Sequence, residues 1–169
     1  MKKLILLFSL AVFAMTSVNA QGQFRAGISG GLPIGDAGDL ATFAIAVDLG
    51  YLFEISDDID AGGTIGYSHS FGDTVDVSGF GSFDVEDVQF IPIAASGRFS
   101  ISEQFILGAD LGYAIELGSN GSSSGGFYYS PRAQYSVSES IDIVVAFRGV
   151  SLDGGSWDIV SAGIEFGID

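Results

Sequence analysis

The sequence has no cysteine, which excludes disulfides, thiolate nucleophiles and cysteine metal sites. It is poor in positive charge. Only 6 Lys and Arg stand against 21 Asp and Glu, and the net charge of −15 repels nucleic acid and other polyanions. One histidine, His69, cannot make a histidine metal cluster. Proline is scarce, 3 in 169 residues, so long segments are free of positions that break a β-ladder. No apolar run reaches the ~20 residues that a membrane-spanning helix needs.

The first twenty residues differ from the rest. Lys2 and Lys3 form a positive start, Leu4 to Met15 an apolar stretch, and Val18-Asn19-Ala20 a small-residue cleavage site. This three-part pattern predicts a secretory signal peptide over residues 1–20, with one further domain over residues 21–169. Loss of Lys2 and Lys3 leaves Arg25, Arg98, Arg132 and Arg148 as the only strong cations, against all 21 acids. Yet 47% of the residues are hydrophobic. Such a chain must separate its apolar and charged residues sharply.

It does so with a period of two, the strand period. The alternation predicts eight strands at about Phe24–Ile34, Ala41–Ile55, Ile59–Phe71, Val85–Ile101, Phe105–Leu117, Gly126–Val137, Ile141–Ser151 and Trp157–Ile168. In the second, Phe43, Ile45, Val47, Leu49, Tyr51 and Phe53 share one face; Ala44, Ala46, Asp48 and Gly50 share the other. The fifth sets Phe105, Leu107, Leu111 and Tyr113 against Gly108, Asp110, Gly112 and Glu116. One face is large and apolar. The other is small, glycine-rich and charged, and it carries all four arginines with Asp48, Asp60, Asp110, Glu116, Asp142 and Glu165.

A soluble barrel would hide the large apolar face and wet the other. A membrane barrel does the reverse, and small residues with ion pairs are what eight strands can enclose. The connections favour the membrane solution. Three are short and share a repeat of apolar, Ser, acid, any residue, apolar: Ile55-Ser56-Asp57-Asp58-Ile59, Ile101-Ser102-Glu103-Gln104-Phe105 and Val137-Ser138-Glu139-Ser140-Ile141. Four others, Gly35–Leu40, Gly72–Asp84, Gly118–Gly125 and Leu152–Ser156, are expected to be longer and to alternate with the short ones. The segment Asn120 to Ser124 reads as a flexible loop tip. Pro92 and Pro131 fall inside strands, where bulges are expected. Phe90 falls on the interior face, which suggests a register slip there.

Together these features resemble the small eight-stranded outer-membrane barrels of the OmpA transmembrane domain and OmpX type, over Gln21 to Asp169. The resemblance implies an antiparallel, up-and-down transmembrane β-barrel in a bacterial outer membrane. Its partners would be outer-membrane lipids, lipopolysaccharide and, during insertion, the barrel assembly machinery. It would be a monomer, with no cofactor and no nucleic acid. In that family the last strand ends in a lipid-facing aromatic. Val160, Ala162, Ile164 and Phe166 fit, but Gly167, Ile168 and Asp169 then depart from the pattern.

The candidate site is the interior charge network: Arg25, Asp48, Arg98, Asp110, Glu116, Arg132, Arg148 and Glu165. Asp48, Asp110, Arg132 and Arg148 are expected at mid-barrel depth, with Arg25 and Glu165 adjacent where the first and last strands close. The network reads as a neutral plug rather than an ion-selective pore, because an unpaired buried charge costs several kcal/mol. His69 beside Ser70 evokes acyl transfer, but neighbours along a strand point to opposite faces, so no enzyme is expected. The acids Asp36, Asp39, Asp73, Asp76, Asp84, Glu86, Asp87, Asp153 and Asp158 are expected on the outer loops, solvated and without metal. A structural or surface-interaction role follows. The alternatives are a narrow pore, a lipid-modifying enzyme, or a soluble periplasmic barrel for apolar ligands.

Overall fold

A computed structural model describes residues 22–77, 81–118 and 124–168. The expected signal peptide lies outside the described residues, as does most of the loop tip at Asn120. Ten strands are present among the described residues: β1 (Gly22–Ile34), β2 (Ala41–Ser56), β3 (Ile59–Gly72), β4 (Thr74–Val77), β5 (Gly81–Asp84), β6 (Val88–Ser100), β7 (Phe105–Glu116), β8 (Gly125–Ser138), β9 (Ile141–Leu152) and β10 (Gly155–Ile168). Eight of them close into one barrel in the order β1-β10-β9-β8-β7-β6-β3-β2, and every adjacent pair is antiparallel. The eight strands expected from periodicity are these eight. The small β4–β5 hairpin stands apart in the β3–β6 connection, where the sequence reading had only loop.

The register sets the size of the cylinder. Paired residues run from Phe24 through Tyr51, Gly63, Ala95, Leu111, Tyr129, Gly149 and Asp158, and return to β1 at Ile34, ten residues further along. With eight strands, that stagger implies a tilt of about 40° and a Cα shell about 16 Å across, just wide enough for side chains to fill.

The large apolar face points outward. Leu49 is 59% exposed and Leu111 53%, while Arg98 is 4% exposed. A one-residue slip anywhere would invert this pattern, so register is strongly specified. That explains the prolines. The expected bulges at Pro92 and Pro131 do not form. The β3–β6 ladder passes from Ile65↔Ile93 to Ser68↔Phe90, and the β8–β9 ladder from Tyr129↔Gly149 to Arg132↔Ala146; each drops two rows without shifting. Losing ladder bonds is less costly here than turning a whole strand inside out. The recorded irregularities lie instead near strand ends, between Ala41 and Phe43, Glu54 and Ser56, and Ser136 and Ser138. Nor does the register slip at Phe90, which does point inward and is 1% exposed.

The turn repeat has a structural role. Its fourth residue is Asp58, Gln104 or Ser140, and the carbonyl of each accepts from the strand beyond: Ser100 N–H donates to Asp58 at 2.8 Å, Ser136 N–H to Gln104 at 2.8 Å and Gly167 N–H to Ser140 at 2.9 Å. The turns thus satisfy strand N–H groups at the barrel rim that would otherwise lack partners. One connection departs from the expected alternation. Leu152 pairs with Gly155, so β9 and β10 are joined by Asp153-Gly154 alone, with Gly154 at φ +102°. An Asp-Gly pair is a hairpin signal that the length argument overlooked.

Candidate functional site

The interior has two layers. Near the short turns it is charged. Arg25 bonds Asp142 at 2.6 Å and lies 3.9 Å from Glu165, its expected neighbour. Arg132 bonds Glu165 at 2.6 Å and approaches Asp110 at 3.4 Å; Arg98 bonds Asp110 at 2.7 Å. Gln134 donates to Glu165 at 3.0 Å. Deeper in, the Arg148 guanidinium grips Asp48 with both terminal nitrogens, one at 3.1 Å, and its Nε donates to Ser161 at 3.3 Å. Among the described residues, four guanidiniums thus meet four carboxylates: Asp48, Asp110, Asp142 and Glu165. Asp142, which the sequence reading put on the interior face but not in the charge network, therefore belongs to this constellation. Its parity and its register opposite Glu165 are the signals that place it there.

Glu116 does not join them. It shares the interior parity but lies at the far end of β7, opposite Phe90, where the Ser124 hydroxyl donates to it. Parity reports the face and not the depth, so the distance along β7 separates it from the arginines.

Toward the long loops the interior becomes apolar. Phe90, Ala114, Tyr128, Val150, Trp157 and Ile159 form a buried cluster, and Ala37 of the 3-10 turn Gly35–Ala37 packs into it. Phe90 and Trp157 rings lie 6.5 Å apart, and Trp157 Nε1 donates to Ser70 Oγ at 3.1 Å. A void of only about 10 Å³, bounded by Phe90, Tyr128, Arg148 and Trp157, separates the two layers.

The outer face is banded. Aliphatic side chains such as Ile28, Val47, Leu49, Ile65, Ile93, Leu111 and Val145 are exposed around the middle. Aromatic residues flank them. On the short-turn side Phe24 lies 4.6 Å from Tyr51, Tyr51 4.8 Å from Phe53, and Phe105 5.0 Å from Tyr135. On the long-loop side Tyr129 lies 6.2 Å from Phe127 and 5.9 Å from Phe147. Asp158, expected in a loop, sits on β10, and Tyr129 donates to it at 3.2 Å.

His69 also belongs to this long-loop band. Its Nδ1 lies 3.2 Å from Tyr67 Oη and its Nε2 3.0 Å from Asp87. Tyr67 donates to Gln89 Oε1 at 3.0 Å, and Gly72 N–H donates to Asp87 at 2.9 Å. That backbone bond holds the Asp87 carboxyl below the usual carboxylate range. Ser70 points the other way, into the lumen toward Trp157. His69 and Ser70 are therefore not paired.

A closed eight-stranded cylinder, apolar outside and ionic within, has the fold of the small transmembrane barrels of bacterial outer membranes. No protein-family model matches the sequence. No curated protein matches it. Solved structures do match. The outer-membrane protein Ail of Yersinia pestis, in a phospholipid bilayer nanodisc, aligns with a TM-score of 0.61 at 19% identity, covering 88% of this chain and 100% of that one. The N-terminal β-barrel domain of OprF from Pseudomonas aeruginosa aligns with a TM-score of 0.56 at 14% identity, covering 89% and 100%. A de novo designed transmembrane β-barrel aligns at 0.52 and 12% identity, covering 86% and 95%. A designed barrel sharing the fold indicates that the fold alone carries no biological role.

Proposed function

We propose that this chain is an integral protein of a bacterial outer membrane, exported by its leader and held there by its apolar belt. Its lumen is closed by side chains, its role is structural or one of surface interaction through the long-loop end, and it catalyses no reaction. The observation that carries this reading is the inverted burial: arginines within, leucines and isoleucines without. In water an exposed band of this size would be an aggregation liability, whereas in a bilayer it is the insertion surface. The aromatic bands on either side fit the two lipid–water interfaces.

The closed lumen rests on the two interior layers. Each of the four arginines is tied to a carboxylate, so none is left free in the lumen to attract an anion. The apolar layer above offers an ion no charged partner. Lipopolysaccharide and outer-membrane lipids would be the standing partners, and the monomer the working form.

Heat-modifiable gel mobility of the detergent-extracted protein tests the membrane barrel; recovery from cells in buffer without detergent overturns it in favour of a soluble periplasmic barrel. Planar-bilayer recording tests the closed lumen. The expected result is a silent trace, and reproducible unitary openings would establish the pore. Mass spectrometry of lipid A from cells with and without the protein is expected to show the same species.

A further inference from the structure

Along the long-loop band of the outer face, the β3–β6 seam sets polar groups of two strands beside a row of rings. There Tyr67, His69 and Phe71 form an outward row on β3, with ring centroids 6.4 and 4.5 Å apart. Across the seam stand Gln89 and Asp87. The hydrogen bonds already given join Tyr67, His69, Gln89, Asp87 and the Gly72 amide into one chain. The chain orders these groups before anything binds. Just below, the ladder is interrupted at the rows of Pro92 and Ile91.

We propose that this seam is a binding site for a sugar ring of a glycolipid headgroup, seated with its apolar face on the aromatic row and its hydroxyls on Asp87 and Gln89. The proposal rests on the reading of the long-loop end as the outer leaflet side of a membrane barrel.

Three arguments select that ligand. A pyranose ring presents a flat C–H face and a rim of hydroxyls, which matches flat rings beside a carboxylate and an amide. Acyl chains alone do not suit the site, because they would strip water from its polar groups and return no hydrogen bonds. A phosphate does not suit it either. Arg25, Arg98, Arg132 and Arg148 all face the lumen, so among the described residues the exterior has no guanidinium or ammonium to meet a phosphate. Asp87, half exposed, would repel it.

The intact barrel is reconstituted in phosphatidylcholine nanodiscs with one of three probes: a bisphosphorylated diglucosamine glycolipid, the same glycolipid stripped of its phosphates, or phosphatidylethanolamine. Binding is read as lipid retained per barrel and as the shift of the His69 ring resonances. Both glycolipids should be retained and should move His69; phosphatidylethanolamine should do neither. The double variant Asp87→Ala/Gln89→Ala should lose retention by about tenfold, the scale of one or two hydrogen bonds. Phe71→Leu should weaken it less, and the arginines are untouched in all variants. Retention that needs the phosphates, retention of phosphatidylethanolamine alone, or equal retention by the double variant would overturn the proposal. Heat-modifiable mobility is measured on the same samples. Normal mobility without retention removes this site alone; absent mobility removes the membrane-barrel reading on which it rests.

Discussion

Arg148 of β9 and Asp48 of β2 meet across the lumen, joined by two guanidinium–carboxylate contacts and by no neighbouring strand pairing. The bond spans the lumen where no backbone ladder can, and so ties together strands three places apart around the barrel. Replacing Arg148 by Leu leaves Asp48, largely withdrawn from solvent, without its partner. We expect a loss of about 3–5 kcal/mol, the usual result of breaking a buried pair from one side. Adding Asp48→Asn should restore much of it. Reversible urea unfolding in lipid vesicles measures both. An unchanged midpoint in the single variant would remove this pair from the stabilising network.

Phe90→Ala removes the largest fully buried side chain of the apolar layer. The expected loss is about 3–5 kcal/mol, since neighbours held on ladders cannot collapse into the gap. The lumen should nonetheless stay closed, because Arg132, Glu165 and Asp110 still fill the section below. The paired measurements are unfolding free energy and planar-bilayer current. Steady openings in this variant would show that Phe90 and its neighbours alone close the barrel.

Leu111 and Phe99 both point outward from neighbouring strands, the first in the aliphatic middle and the second in the short-turn band. Leu111→Arg should cost about 2–4 kcal/mol in lipid, and Phe99→Arg roughly 0–1 kcal/mol from the charge itself, because charge is penalised by depth. Equal costs at the two positions would place the bilayer elsewhere on the barrel.

The Asp87 carboxyl is held below its ordinary value of 3.8, chiefly by the Gly72 N–H. A carboxylate with a depressed folded value stabilises its surroundings above the unfolded value and loses that effect as pH falls through the folded one. The Gly72 amide should therefore be protected from hydrogen exchange at neutral pH and lose protection below about pH 4, the unperturbed carboxylate range. Asp87→Asn should weaken that protection at neutral pH. Exchange at Gly72 that ignores both acid and the substitution would remove the bond.

Much of this was legible in the sequence because a strand has a period of two. Parity along each strand assigned Leu49 and Leu111 to one face and the arginines to the other, without any long-range information. Parity also placed Phe90 inside, where an aromatic ring looked like an error. Proline chemistry pointed to bulges at Pro92 and Pro131, but the barrel keeps its register and gives up ladder rows instead. A local rule yields there to a global one, since a slip would turn every later side chain to the wrong environment.

The sequence by itself determined the number of barrel strands, the face each side chain takes, and the balance of charge available to the interior. Those are properties of short segments. Tertiary structure decided depth and partners: that Glu116 stands apart from the arginines, that Asp142 answers Arg25, and that Trp157 and Phe90 meet above the ion pairs. It also brought Asp87 to His69 across the β3–β6 seam. The reason is geometric. Which residues share a level depends on the ten-residue stagger around the closed cylinder, and that stagger exists only once β1 has found β10.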